Sequence, residues 1–189
     1  DKVNLNLVEI ASYLEGKTVL VTGGGGSIGS ELCRQIARFN PKKLVILDIY
    51  ENNAYDIQKE LLSQYGDNLI LEVLIASLRD RETIFDIVAK LKPNVIFHAA
   101  AHKHVPLMEF NAAEAVANNI GGTQTLLQLA EYMGPTREAA VSREISKHFE
   151  ENTRGTLEEL ANYYVANEPK GEIVVVVKGA EQTKSKKDT

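Results

Sequence analysis

The chain has 189 residues, of which 44% are hydrophobic and 25% charged, a balance that suits one globular domain rather than a disordered or membrane chain. Its net charge of −5 argues against a nucleic-acid surface, which needs clustered Lys and Arg to displace counterions. A single cysteine, Cys33, rules out a disulfide framework or a thiolate zinc cluster, so its expected role is packing.

Short β-branched runs alternate with helical patterns along the whole length, the rhythm of a parallel sheet flanked by helices. An opening helix is expected at Leu7–Leu14, packed on the sheet's edge. Strands are predicted at Thr18–Thr22, 44–47, 70–75, 95–99, 139–143 and 172–177, and helices at 30–39, 54–65, Arg81–Leu91, 112–133 and 156–166. Asn40-Pro41, Lys92-Pro93 and Gly134-Pro135 end three of these helices, because the residue before proline is steered away from the α region. The expected fold class is α/β: a Rossmann-like three-layer sandwich around a mostly parallel, doubly wound sheet of about six strands. One domain over 1–180 is expected, with 181–189 a solvated tail. No apolar run is long enough to span a bilayer, and the opening DKVNLNLVEI lacks a basic stretch followed by an apolar one. No membrane, no secretion signal and a cytoplasmic setting are the expectations that follow.

Residues 17–29 read KTVLVTGGGGSIG, an apolar strand running into a glycine cluster and then a helix. The spacing Gly23-x-x-Gly26-x-x-Gly29 is what a dinucleotide pyrophosphate requires. Glycine is needed where the chain turns tightly, where backbone must approach phosphate, and where helix meets strand. The helix N-terminus adds free N–H groups and a positive dipole. Asp48 ends the second strand, about twenty positions after Gly29, where a carboxylate accepts from the adenosine ribose hydroxyls and repels a 2′-phosphate. NAD is therefore expected, with NADP the alternative. The fourth strand opens into Ala99, Ala100 and Ala101, small side chains past a strand's carboxyl end that let a cofactor lie across the sheet. His98, His102 and His104 are not read as metal ligands, because no carboxylate or thiolate stands at supporting spacing. Lys103 is a candidate phosphate or substrate contact.

VLVTGGGGSIGSELCRQIARFNPKKLVILD together with HAAAHKHVPLMEFNAAEAVANNIGGT resembles the polysaccharide-biosynthesis nucleotide-sugar dehydratases, the UDP-N-acetylglucosamine 4,6-dehydratase-like extended short-chain dehydrogenases. The resemblance covers about residues 3–133. It implies that Gly23, Gly26, Ser27, Ile28 and Gly29 hold the pyrophosphate, Asp48 the ribose, and Ala99 to Ala101 the nicotinamide side. Lys103 and Asn119 would lie toward the nicotinamide or substrate end, and Ser77 and Leu78 would flank the adenine. Many relatives carry aspartate where Ser77 stands. The family's Ser/Thr-rich stretch, Tyr-x-x-x-Lys helix and nucleotide-sugar domain do not follow Met133. Tyr55 and Lys59 have the Tyr-x-x-x-Lys spacing but fall on the helix after the second strand, away from the nicotinamide end.

Residues 134–180 resemble a different family. The runs VSREISK, EENTRGTLEEL and KGEIVVVV are similar to the C-terminal end of the ribosomal RNA small-subunit 2′-O-methyltransferase of the tetrapyrrole-methylase class. A chimera joined at Met133–Gly134, natural or engineered, is the implied origin. The second piece would supply a strand, a loop, a helix and a last apolar strand buried on both faces. Strand order 3-2-1-4-5-6 is the expectation for the dehydratase-like part, with the orientation of the last two strands left open. Three functional readings follow: an NAD-binding module without catalysis, a hybrid scaffold with no ligand, or a residual dehydratase or S-adenosylmethionine-dependent methyltransferase. The last is disfavoured because no acid/base pair stands within reach of a substrate. A nucleotide sugar is a further candidate partner.

Overall fold

A computed structural model describes residues 7–100, 134–143, 150–167 and 173–178; the helix expected at 112–133 and the tail at 181–189 lie outside the described residues. The chain order is α1 (Leu7–Leu14), β1 (Thr18–Thr22), α2 (Ser27–Ala37), β2 (Lys43–Asp48), α3 (Glu51–Tyr65), β3 (Leu71–Ile75), α4 (Arg81–Leu91) and β4 (Val95–His98). Further along come β5 (Glu138–Arg143), β6 (Glu151–Thr156), α5 (Leu157–Ala166) and β7 (Ile173–Val177).

Among the described residues, seven strands form one mixed sheet in the order β3-β2-β1-β4-β7-β5-β6. The first four are parallel, with Leu20 beside Val45 on one side and Ile96 on the other. β1 and β2 are buried on both faces, as their unbroken apolar runs demand of central parallel strands. Leu20, Val45, Leu47 and Ile96 pack on one face beneath Ile84 and Val88 of α4 and Leu157 and Leu160 of α5. Val19, Val21, Leu44 and Ile46 pack on the other beneath Cys33 and Ile36 of α2 and Ile57 and Leu61 of α3. The helix boundaries have local causes. Asp80 caps α4 by accepting from Thr83 N–H at 3.1 Å, and Thr156 and Glu159 form a reciprocal capping box on α5. Among the described residues, the two non-glycine positions with positive φ, Asn40 and Lys92, both precede a proline, and so does Gly134.

The far half of the sheet departs from expectation in three ways. β7 sits between β4 and β5 and runs antiparallel to both, so the order 3-2-1-4-5-6 does not hold. Its burial alternates, with Ile173, Val175 and Val177 in the core and Val174 and Val176 half-buried, rather than being complete on both faces. The stretch expected as a loop before the last helix is β6, which pairs antiparallel with β5 along all six positions. The short link from β5 to β6 explains the direction: antiparallel neighbours can be joined tightly, whereas parallel ones need a crossover of roughly a dozen residues or more.

Candidate functional site

From β1 the chain moves outward to β2 and β3, then returns to β4 on the opposite side of β1. Where the direction of winding reverses, a crevice opens beyond the carboxyl ends of the strands. The glycine run leaves β1 at that point, and Ala99 and Ala100 leave β4 beside it. The two backbones touch. Gly23 has φ +69, and a Cβ added there would lie 2.6 Å from Ala100 Cα and 2.7 Å from the Ala99 carbonyl carbon. Gly29 lies in the first turn of α2, where an added Cβ would fall on the Gly23 carbonyl oxygen. Both glycines are therefore required by the fold itself.

Gly26 is different. It is the N-cap of α2 with φ −70 and ψ 170, an extended conformation open to any residue, and an added Cβ would meet only Gly23 O, at 3.3 Å. Among the described residues the fold presses on this position less than on Gly23, Gly24, Gly25 or Gly29, and a glycine here keeps the start of the helix open to an approach from outside. Ser27 and Ile28 follow and are exposed, and α2 has neither a capping side chain nor an acidic residue in its first turn. Its positive end thus meets no capping or acidic side chain of its own, an arrangement suited to an anion.

Asp48 is 6% exposed at the end of β2. Gly25 N–H donates to its Oδ2 at 2.8 Å and Tyr50 N–H to its Oδ1 at 2.9 Å. Ala76 N–H donates to the Asp48 carbonyl at 3.0 Å, which brings the exit of β3 alongside. Ser77, next in line, is half-buried, and its Oγ accepts from Arg79 N–H at 3.2 Å. The Leu78 side chain is in the core, leaving only its backbone for contact at this corner. Sequence reasoning missed three neighbours: Ile49, Tyr50 and Ile75 stand 54%, 60% and 51% exposed around Asp48. Large apolar side chains grouped at a strand edge are a surface a planar base would cover. The signal was the apolar pair Ile49-Tyr50 where a strand-to-helix turn is usually polar. Gly24 and Gly25 were missed as well. Added Cβ atoms there would meet Ile46 Cγ2 at 2.7 Å and Asn53 Cβ at 2.8 Å, and glycine beyond what the spacing rule requires was the available sign.

Behind the crevice, Thr22 Oγ1 and His98 Nδ1 lie 2.7 Å apart, both side chains fully buried. Burial pushes the His98 pKa down to about 4, so the ring is neutral near pH 7. It braces the two strand ends that carry Gly23 and Ala99. Burial likewise pushes the Cys33 thiol up to about 12, in keeping with a packing role. Ala101, His102, Lys103, His104 and Asn119 lie outside the described residues. Tyr55 and Lys59 are exposed on α3. Tyr13 and Lys17 share the same spacing but precede β1, at the opposite end of the strands from the crevice. A separate concavity of about 880 Å³ lies over β4, β7 and β5, walled by Val95, Phe97, Ala140 and Val176. It shares no residue with the glycine loop.

A family model described as "Polysaccharide biosynthesis protein" matches residues 19–162. The probable polysaccharide biosynthesis protein EpsC of Bacillus subtilis is 48% identical over 132 residues, 70% of this chain and 22% of that protein. A UDP-N-acetylglucosamine 4,6-dehydratase (inverting) of Campylobacter jejuni is 33% identical over 113 residues, covering 59% of this chain and 32% of the enzyme. Among solved structures, Pen from Bacillus thuringiensis aligns with TM-score 0.56 and 31% identity over 62% of this chain and 35% of its own. A UDP-glucose-4-epimerase from Stenotrophomonas maltophila, solved with NAD and formylated UDP-arabinopyranose, aligns with TM-score 0.57 over 80% of this chain and 47% of its own; at 20% identity it speaks to the fold alone. The chain thus spans under half the length of these relatives. The family match runs across Met133–Gly134 to residue 162, so the change of family expected at that junction, with its methyltransferase-like tail, finds no support in it. Among the described residues, no helix is long and apolar enough to cross a membrane.

Proposed function

The chain belongs to the polysaccharide biosynthesis protein family, and from that premise we propose that it binds an NAD-type dinucleotide in the crevice between β1 and β4. The observation that carries this reading is Gly26: a partly exposed glycine on which the described fold presses least in the loop, at the uncapped start of α2, where a pyrophosphate would approach. Gly23, Gly26, Ser27, Ile28 and Gly29 would hold the pyrophosphate, and Asp48 the adenosine ribose. Ser77 and the Leu78 backbone would border the adenine, and Ala99, Ala100, Ala101 and Lys103 the nicotinamide side. Asp48 favours NAD over NADP because a buried carboxylate repels a 2′-phosphate. A nucleotide sugar is the substrate class we propose for the complete protein, which the name of the Campylobacter jejuni UDP-N-acetylglucosamine 4,6-dehydratase supports. Residues 1–180 act as one α/β unit in this reading. Catalysis is not assigned to it: Tyr13 and Lys17 precede β1, and Tyr55 and Lys59 lie exposed on α3, which borders the loop at Gly25 rather than at Ala99 and Ala100.

Calorimetric titration of the whole chain with NAD, NADP and S-adenosylmethionine tests these readings. Saturable binding of NAD, weaker binding of NADP and no heat from S-adenosylmethionine are expected. Gly26→Val should abolish NAD binding with secondary structure retained. A Gly26→Val variant that binds NAD like the parent would overturn the loop assignment, and saturable S-adenosylmethionine binding would favour the methyltransferase-like origin.

A further inference from the structure

We infer that the Asp48 carboxylate also holds the glycine loop in its binding shape before a ligand arrives, so that ribose recognition and pyrophosphate binding are coupled through one side chain. The inference rests on the NAD-binding reading. Three of the four loop amides are held by the chain's own backbone: Gly23 and Gly24 N–H donate to Leu47 O at 2.8 and 3.4 Å, and Gly26 N–H to Gly23 O at 3.0 Å. Gly25 is the exception, and its N–H donates to Asp48 Oδ2 at 2.8 Å. Its other side is closed by α3, where an added Cβ would stand 2.8 Å from Asn53 Cβ and 2.9 Å from Ala54 N. The peptide at the centre of the loop is thus pressed between a helix and a carboxylate.

The carboxylate is itself fixed. Tyr50 N–H holds its Oδ1 at 2.9 Å, and only 6% of the residue is exposed. Hydrogen bonds to an ionised acceptor are roughly twice as strong as neutral ones. A carboxylate accepts at about four sites, so two remain for ribose hydroxyls while both backbone donors stay in place. Held by two donors on different segments, Asp48 cannot swing aside for a 2′-phosphate. Removing it therefore does not simply convert the site to NADP; it loosens the loop that every dinucleotide must use.

The test is to titrate the parent chain, Asp48→Ala and Asp48→Asn with NAD and with an NAD analogue whose adenosine ribose lacks both hydroxyls. A residue that served only the ribose would leave the analogue's affinity unchanged on substitution. Loop clamping predicts instead that Asp48→Ala weakens the analogue by about tenfold, the loss of one charge-assisted hydrogen bond, and NAD by more. Asp48→Asn, which keeps the size but can accept on only one side, should fall between. Equal affinity of the analogue for parent and both variants would overturn the inference. Amide hydrogen exchange without ligand reads the same clamp: Gly25 should exchange about tenfold faster in Asp48→Ala, with Asp48→Asn between it and the parent. If the parent bound no NAD, the NAD-binding reading would fail, and unchanged Gly25 exchange would separately overturn the clamp.

Discussion

Replacing Gly29 by alanine separates local helix preference from tertiary contact, because the two predict opposite signs. Gly29 is the third residue of α2, and inside a helix alanine is preferred over glycine by about 1 kcal/mol. On propensity alone Gly29→Ala would stabilise the protein. Yet the new methyl carbon would fall on Gly23 O and stand 2.6 Å from Gly23 C and 2.8 Å from Gly24 Cα. These are backbone atoms of a loop pinned at Gly23 by Leu47 O and at Gly25 by Asp48, and no side-chain rotation relieves them. Overpacking of this kind costs about 1–3 kcal/mol and more where backbone must move, so a net loss of about 2 kcal/mol is expected. For a chain of this size that lowers the thermal midpoint by about 4–8 °C. Urea unfolding followed by circular dichroism measures it. A midpoint equal to or above the parent's would refute the claim that helix and strand meet at this glycine.

Other expectations follow from the same geometry. The folded pKa of His98, about 4, lies below the ordinary value of 6.5, so the unfolded chain takes up the proton first and stability is lost as pH falls from 6.5 toward 4. The loss attributable to this residue is about 2 kcal/mol at pH 5, and it should vanish in His98→Asn; identical pH slopes for the two proteins would remove His98 from this role. Cys33 should react with a thiol reagent only in denaturant, and rapid labelling of the native protein would contradict its burial. Thr156→Ala removes the hydroxyl that accepts from Glu159 N–H at 3.2 Å and should cost about 1 kcal/mol in urea unfolding, with no loss marking the capping box as dispensable.

The near half of the fold was legible because its signals are local. The strand at Thr18–Thr22 and the helix at Arg81–Leu91 stand where the apolar pattern and the turn residues place them. Asp48 was legible as a candidate from its position at a strand end. Its hydrogen bond to Gly25 was not, since that contact joins segments 23 positions apart in the chain. The far half failed for another reason. ENTRGT has little of the β-branched or aromatic character of a strand, and it becomes β6 only because β5 offers an edge for it to pair along.

By itself, the sequence determined that an apolar strand would run into a glycine loop and a helix, with a carboxylate one βαβ unit away, because propensity, periodicity and glycine's conformational range act within a few residues. Only the tertiary structure decided that Ile173–Val177 would lie antiparallel between β4 and β5, and that the Asp48 carboxylate would close on the loop. An apolar run specifies that a strand must be buried but not beside which neighbour. That choice depends on which sheet edges are open and on how short the connections are, and neither is written in a local pattern.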